Sequence, residues 1–213
     1  MTSERRGERV TSPLALALRG IRRALRRIAS AMNAAAGWMF FACALFITFD
    51  VLARRYLGFS SKSTTEVTGY MLAFGMSWGL AHTLFERSHV RVDLFVNRVP
   101  LGLRRYLHVT ALALLTVFAA YATYGAVALA LESLDFGATD MSALRTPLVV
   151  PQALWAFGLA MLLVTVLELL LEAIVLSIAG NVADVDALVT SRSYEEESAE
   201  AIAAAQAVAP PRS

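Results

Sequence analysis

The residues that could carry chemistry in this chain are acids, histidines and arginines set at the ends of long apolar runs. Glu66 opens one such run, which ends at Glu86-Arg87-Ser88-His89. Asp93 follows His89 at i+4, so the two side chains could pair on a helix. Acid–base catalysis and zinc binding are the functions this pattern raises. No further ligand type converges on His89 and Asp93, so we expect no metal site.

Glu66 and His89 cannot form one catalytic pair if the run between them is helical. They are 23 residues apart, which corresponds to about 35 Å at 1.5 Å per residue. The two side chains would then lie at opposite faces of a membrane. We therefore expect no catalytic residue among them, and expect both to fix the ends of a helix.

Two histidines raise a cofactor hypothesis. His82 and His108 fall near the same end of adjacent apolar segments, and a pair of histidines between helices can hold a haem. A haem-bearing membrane anchor of a respiratory enzyme is therefore the alternative function. No second histidine pair supports it, and we expect no cofactor.

Glu168 and Glu172 lie one turn apart on one face of the last apolar run. A charge inside a membrane span costs about 2.5–3.5 kcal/mol at the centre and less toward the ends. The simplest hypothesis is that both acids face cytoplasmic arginines such as Arg104 or Arg105. A second hypothesis is a contact with a partner subunit, and a third is a role in ion or proton conduction.

The composition identifies an integral membrane protein. The 213-residue chain is 57% hydrophobic and 17% charged, whereas soluble domains average about 25% charged residues. The only cysteine, Cys43, lies inside an apolar run, so no disulfide or cysteine metal site is expected. The basic residues have no interleaved aromatic residues, so nucleic acid is not an expected partner.

The apolar runs predict an all-α fold with four transmembrane helices, preceded by an amphipathic interfacial helix. The chain then divides into a basic N-terminus, a four-helix membrane domain and a disordered cytoplasmic tail, at residues 1–33, 34–178 and 179–213. The four spans are expected at about 34–53, 66–86, 107–131 and 148–176.

Residues 14–31 show helical periodicity. Leu14, Leu18, Ile21, Leu25 and Ile28 recur at spacings of three and four, and arginines fill the other face. This pattern is typical of a helix lying against anionic lipid. A basic flank that only sets topology is the other interpretation.

Two shorter patterns concern helix contacts. Asp50 and Arg54 lie at i, i+4 at the end of the first span, which predicts a local ion pair. The second span carries small residues at spacings of four, which allow a neighbouring helix to approach closely. These residues are Gly75, Ser77, Gly79 and Ala81.

The distribution of positive charge predicts the orientation. If the chain has four spans and its N-terminus lies in the cytoplasm, 15 of the 19 lysines and arginines fall on cytoplasmic segments. The positive-inside rule therefore places both termini in the cytoplasm.

The chain resembles the small membrane subunit (DctQ type) of tripartite ATP-independent periplasmic (TRAP) transporters. The residues that carry the resemblance are DVLARRYLG at 50–58, Glu66, and ERSHVRVDLFVNRVP at 86–100, within a similarity over about 35–178. Glu66, Arg87, His89 and Asp93 match the family's signature positions, and Arg55 matches the arginine that ends its first span.

The resemblance implies a subunit of the bacterial inner membrane that binds no substrate itself. Its expected partners are a large membrane subunit on a separate chain and a periplasmic substrate-binding protein. The large subunit would carry an organic acid with sodium, and this chain would enlarge the fixed scaffold. An independent small transporter is disfavoured because no polar cluster lies at mid-membrane.

Overall fold

The computed structural model describes residues 13–59, 63–86, 101–141 and 144–179, together with the single residues 188, 198 and 202. Regular structure in this part of the chain is helical, apart from one isolated bridge between Thr139 and Pro147. The helices are α1 (Pro13–Leu52), a π-helical turn (Ala53–Leu57), α2 (Thr64–Phe85), α3 (Leu101–Asp135) and α4 (Val149–Ile178).

Helix α1 joins two segments that the sequence predicted as separate elements. It runs for 40 residues, so the amphipathic segment 14–31 and the span 34–53 are one continuous helix. No break occurs near residue 33, where the sequence predicted the boundary between these two segments. Asn33 is followed by three alanines, which are strong helix formers, and no proline interrupts the run.

Two arginines of α1 contact the rest of the bundle. Ile21 and Ile28, from the predicted apolar stripe, are exposed. Leu25 packs on the cluster that contains Ala29 and Met32. Arg22 and Arg26 therefore face the bundle, where Glu172 and Glu86 accept their hydrogen bonds. Arg23, Arg27 and the two isoleucines are exposed.

The π-helical turn Ala53–Leu57 ends this first helical unit. Gly58 follows in the left-handed conformation with φ 69°, which glycine adopts without steric cost. The turn carries Arg54 and Arg55.

Helix α2 differs from the other three in composition. By length and apolar content, the helices able to cross a membrane among the described residues are Gly20–Leu57, Leu103–Asp135 and Val149–Ile178. Helix α2 has 22 residues, about 33 Å, and is long enough. Its glycines, threonines and histidine make it less apolar, so its crossing remains a prediction.

Helices α3 and α4 are antiparallel neighbours. Helix α3 begins at Leu101, within the segment predicted as a loop up to residue 106. It ends before Gly137, which has φ 57°. Helix α4 matches the predicted fourth span closely, with Pro151 in its first turn, where a missing N–H is harmless.

Helix α4 is the centre of the bundle. It contacts α1, α2 and α3, and 44% of its most apolar stretch is buried, against 17% for α1 and for α3. Three clusters of buried side chains form the core, and each includes residues of α4. Helices α1 and α3 therefore lie at the outside, and α2 lies against α1 and α4.

The predicted tail, 179–213, lies almost entirely outside the described residues. Leu188 is one exception. It is buried and belongs to the core cluster that includes Leu112 and Val166. At this residue the tail contacts the bundle.

Candidate functional site

Two interhelical ion pairs tie α1 to its neighbours at one end of the bundle. Arg22 Nη1 lies 2.6 Å from Glu172 Oε2 on α4. Arg26 Nη2 lies 2.7 Å from Glu86 Oε1, directly after α2. We call these four residues the N-terminal clasp. The clasp exists because Arg22 and Arg26 are one turn apart on the side of α1 that packs on the bundle.

The clasp changes the interpretation of the acids on α4. Glu172 was expected to face Arg104 or Arg105, but its carboxylate accepts a hydrogen bond from Arg22. Glu168 is only 5% exposed, and neither of its carboxylate oxygens has a hydrogen-bond partner among the described residues. The sequence signal for the clasp was the pair of arginines one turn apart. That signal fits lipid headgroups equally well.

Polar contacts at the opposite end of the bundle are separate from the clasp. Arg54 Nη2 donates to Asp50 Oδ2 at 2.7 Å, which confirms the predicted local pair. Arg55 is exposed in the π-helical turn. It lies 33 residues along the chain from Arg22, which is about 50 Å at the α-helical rise.

Glu66 lies in the first turn of α2, at the end where that helix contacts the α3–α4 loop. Its Oε2 atom is buried without a hydrogen-bond partner among the described residues. One turn further, the Tyr70 hydroxyl donates to Asp140 of the α3–α4 loop. The sequence offered no signal for this contact, since its two residues are 70 positions apart.

The small residues of α2 face two different helices. A Cβ atom on Gly75 would lie 2.9 Å from Phe40 Cζ, and one on Gly79 would lie 3.5 Å from Asn33 Oδ1, both on α1. Ser77 instead faces Gly158 of α4. Helix α2 is thus packed closely on both sides.

Ala81 lies where α1, α2 and α4 meet. It is fully buried in a cluster with Ala29 and Met32 of α1 and Met161 of α4. On the α4 side, Trp78 Nε1 donates to the carbonyl oxygen of Leu154 at 3.0 Å. This region of α2 therefore contacts both α1 and α4, and its hydrogen bond to α4 is accepted by a backbone carbonyl group.

His82 and His108 are the two histidines that the structure describes. His108 is buried, and His82 has a buried Nδ1 atom without a hydrogen-bond partner among the described residues. In the described part of the chain, no group of three or more His, Cys, Asp or Glu side chains could hold a metal ion. Arg87, His89 and Asp93 lie outside the described residues.

The expected site residues thus fall at two ends of a packed bundle. Glu168 and Glu172 lie with the clasp, whereas Arg55 and Glu66 lie at the far end. Charged pairs join different helices at the clasp end. At the far end, Asp50 and Arg54 pair locally and Tyr70 joins α2 to the α3–α4 loop. The arrangement is suited to holding helices in register.

Comparison with known proteins identifies the family of this chain. Residues 43–176, more than half of the chain, match the family model of the DctQ component of tripartite ATP-independent periplasmic transporters. No match was found among curated proteins or among solved structures. The matched family is a family of transporter components and not of respiratory-enzyme anchors. The chain belongs to the DctQ family of TRAP transporter membrane components.

Proposed function

We propose that this chain is the static small subunit that braces the large membrane subunit of a TRAP transporter. The complex would take up an organic acid with sodium, after delivery by a periplasmic binding protein. The family match supports the two partners. The packing of the bundle and one face of α3 support the bracing role.

Contacts at both ends and in the middle make the described helices one block. The clasp joins α1 to α4 and to the end of α2. Tyr70 joins α2 to the α3–α4 loop. Between these ends, Ser77 and Gly158 hold α2 and α4 in close contact. A subunit that resists deformation in this way suits a fixed support.

The outward face of α3 is the surface we assign to the large subunit. Leu112, Ala119 and Ala126 are buried on the side toward the bundle. Tyr121 is nine residues from Leu112, which is half a turn round the helix, and it is 78% exposed. This exposed phenol is the observation that carries the proposal.

Tyr121 lies at a depth where lipid offers no hydrogen-bond partner. Arg105 and Glu132 are the charged residues nearest the middle of α3, and Tyr121 is about 4 Å from the midpoint between them. An unpaired hydroxyl in hydrocarbon is unfavourable. Tyr124 is 73% exposed on the same side, so two hydroxyls on this face need a protein partner.

The outward face of α1 has a different character. Its exposed side chains include Phe41, Leu45 and Phe49, with Trp38 nearer the basic segment. Apolar chains with a tryptophan toward the interface suit lipid. We therefore assign α3 to the large subunit and α1 to the bilayer.

The orientation and the remaining residues complete the proposal. Both termini are placed in the cytoplasm, with α2 as a fourth span and the outward Ile21 and Ile28 against lipid. Arg55 and Glu66 would fix helix ends on the periplasmic side. The same role on the cytoplasmic side is assigned to Arg87, His89 and Asp93.

Site-specific photocrosslinking tests the assignment. The chain is co-expressed with a candidate large membrane subunit of a TRAP transporter, with p-benzoylphenylalanine at Tyr121 or, as the matched control, at Phe41. We expect a crosslink to the large subunit from position 121 and lipid adducts from position 41. The reverse pattern would contradict the assignment of faces, and failure to co-purify any large subunit would contradict the bracing role.

Transport assays test the rest of the proposal. Proteoliposomes containing both membrane subunits and the binding protein should accumulate an organic acid when a sodium gradient is applied. Omission of this chain should abolish uptake. Uptake by this chain alone would show that it is a transporter in its own right.

A further inference from the structure

A partly open cleft of about 290 Å³ lies between α3 and α4 at the clasp end of the bundle. It is lined by Arg105, Tyr106 and Val109 of α3 and by Ile174, Ser177 and Ile178 of α4. The volume is near the lower limit of small-molecule sites in proteins. Neither the resemblance nor the family match assigns a role to these residues.

Two polar atoms from different helices are buried here without partners. Arg105 Nε and Ser177 Oγ are both inaccessible and have no hydrogen-bond partner among the described residues. Buried polar atoms are normally paired, and each orphan needs an explanation. Both residues line the same cleft, so one ligand that accepts hydrogen bonds would pair both atoms once the side chains that cover them move aside.

The charge and orientation of Arg105 favour an anion. Its Nη2 atom donates to the Tyr106 hydroxyl at 2.9 Å, and its guanidinium lies 4.7 Å from the centre of the Tyr106 ring. These contacts hold the guanidinium in place while Nε is left without a partner. Arginine binds phosphate through several parallel N–H donors, so a fixed guanidinium suits a phosphate group.

The rest of the cleft is apolar and opens beside exposed isoleucines. Val109 and Ile174 line it, and Ile178 is exposed at its edge. Apolar side chains do not stabilise a free anion, whereas the glycerol and acyl chains of a lipid would pack against them. Basic pockets between helices on the cytoplasmic side of a membrane are typical sites for anionic headgroups.

We propose that this cleft binds the phosphodiester headgroup of an anionic phospholipid of the cytoplasmic leaflet. Arg105 and Ser177 donate hydrogen bonds to the phosphate oxygens, and Val109, Ile174 and Ile178 contact the glycerol and acyl chains. The site depends on the predicted orientation of the bundle. It does not depend on the transport role of the complex.

Thermal unfolding and native mass spectrometry of the full-length chain, as it purifies from membranes, test the site. The probes are bicelles containing phosphatidylglycerol or phosphatidylcholine, and inorganic phosphate alone. We expect the midpoint of thermal unfolding to rise with phosphatidylglycerol but not with the other two probes. We expect one phosphatidylglycerol molecule to remain bound to the protein in the mass spectrometer.

Two substitutions and a matched control locate the lipid. Arg105→Gln should weaken phosphatidylglycerol binding about tenfold and Ser177→Ala about threefold, since a charge-assisted hydrogen bond is worth more than a neutral one. Arg27→Gln removes an exposed arginine from the same end of the protein and should leave binding unchanged. If Arg105→Gln fails to fold, Ser177→Ala and Arg105→Lys, which keeps the charge, provide the measurement.

Three results would overturn the proposal. Equal stabilisation by phosphatidylglycerol and phosphatidylcholine would exclude an anionic headgroup. Stabilisation by inorganic phosphate alone would show an anion site that does not need a lipid. An equal loss of binding in Arg27→Gln and Arg105→Gln would show general surface attraction. Each of these results leaves the bracing role intact, because co-purification, crosslinking and transport assays test that role separately.

Discussion

Ser77 of α2 lies directly against Gly158 of α4. A Cβ atom on Gly158 would lie 2.5 Å from Ser77 Oγ and 2.8 Å from the carbonyl carbon of Ser77. Both distances are shorter than real contacts allow, and the second involves backbone, which cannot move aside by a rotamer change. Only glycine permits the two helices to approach this closely at Gly158.

Gly158→Ala should therefore destabilise the protein. Overpacking of a close contact typically costs about 1–3 kcal/mol, and we expect a lower midpoint of thermal unfolding in detergent. Gly69→Ala, on α2, is the control because a Cβ there meets nothing within 4 Å. It should be neutral or slightly stabilising, since alanine favours helix more than glycine does. Equal midpoints for the two variants would contradict the close contact.

A double-mutant cycle on Arg22 and Glu172 should reveal a coupling of about 1 kcal/mol. The two side chains are partly exposed, so the value should lie between those of surface pairs and buried pairs. Unfolding of Arg22→Ala, Glu172→Ala and the double variant gives the coupling. Arg27→Ala controls for the loss of a positive charge from α1 and should not couple to Glu172→Ala.

The same substitution should have opposite effects at Glu168 and Glu172. Glu168→Met removes a buried carboxyl group without hydrogen-bond partners among the described residues, and we expect it to raise stability by about 1–3 kcal/mol. Glu172→Met leaves Arg22 without its acid and should lower stability. Thermal unfolding of the two variants shows whether each substitution raises or lowers stability. A fall in stability for Glu168→Met would show that this carboxyl group makes a favourable interaction with a partner.

Tryptophan fluorescence should distinguish lipid-facing from packed positions. Trp38 is exposed on α1, whereas Trp78 donates to Leu154 and packs on Phe157. Trp155, the third tryptophan of the chain, is replaced together with Trp38 or Trp78, and the two single-tryptophan variants are reconstituted with brominated phospholipid. We expect bromine to quench Trp38 several-fold more strongly than Trp78. Equal quenching would contradict the assignment of the α1 face to lipid.

Local contacts could be predicted from the sequence, and contacts between distant segments could not. Asp50 and Arg54 are four residues apart, so helical geometry alone brings them together. Arg22 and Glu172 are 150 positions apart, and their contact depends on how α1 rotates against α4. Periodicity located the arginines on one side of α1, but lipid phosphates and protein carboxylates attract them equally.

The close contact at Gly158 could not be predicted from the sequence for the same reason. Gly75 and Gly79 form a repeat that can be seen in the sequence, whereas Gly158 is a single glycine with no pattern around it. Its importance depends on Ser77, 81 positions earlier, and on the register between two helices. The family, in contrast, was recognised correctly from short blocks, because a motif needs no knowledge of packing.

The unbroken length of α1 links this protein to the thickness of the membrane around it. Forty helical residues extend about 60 Å, twice the hydrocarbon thickness of a bilayer. The apolar part of this helix is about as long as that thickness, and an apolar stretch that no longer matches its bilayer adjusts in part by tilting. Because Arg22 and Arg26 join it to α4 and to the end of α2, a change in tilt would be transmitted to the whole bundle. Lipid composition would then set the angle at which the bundle stands in the membrane.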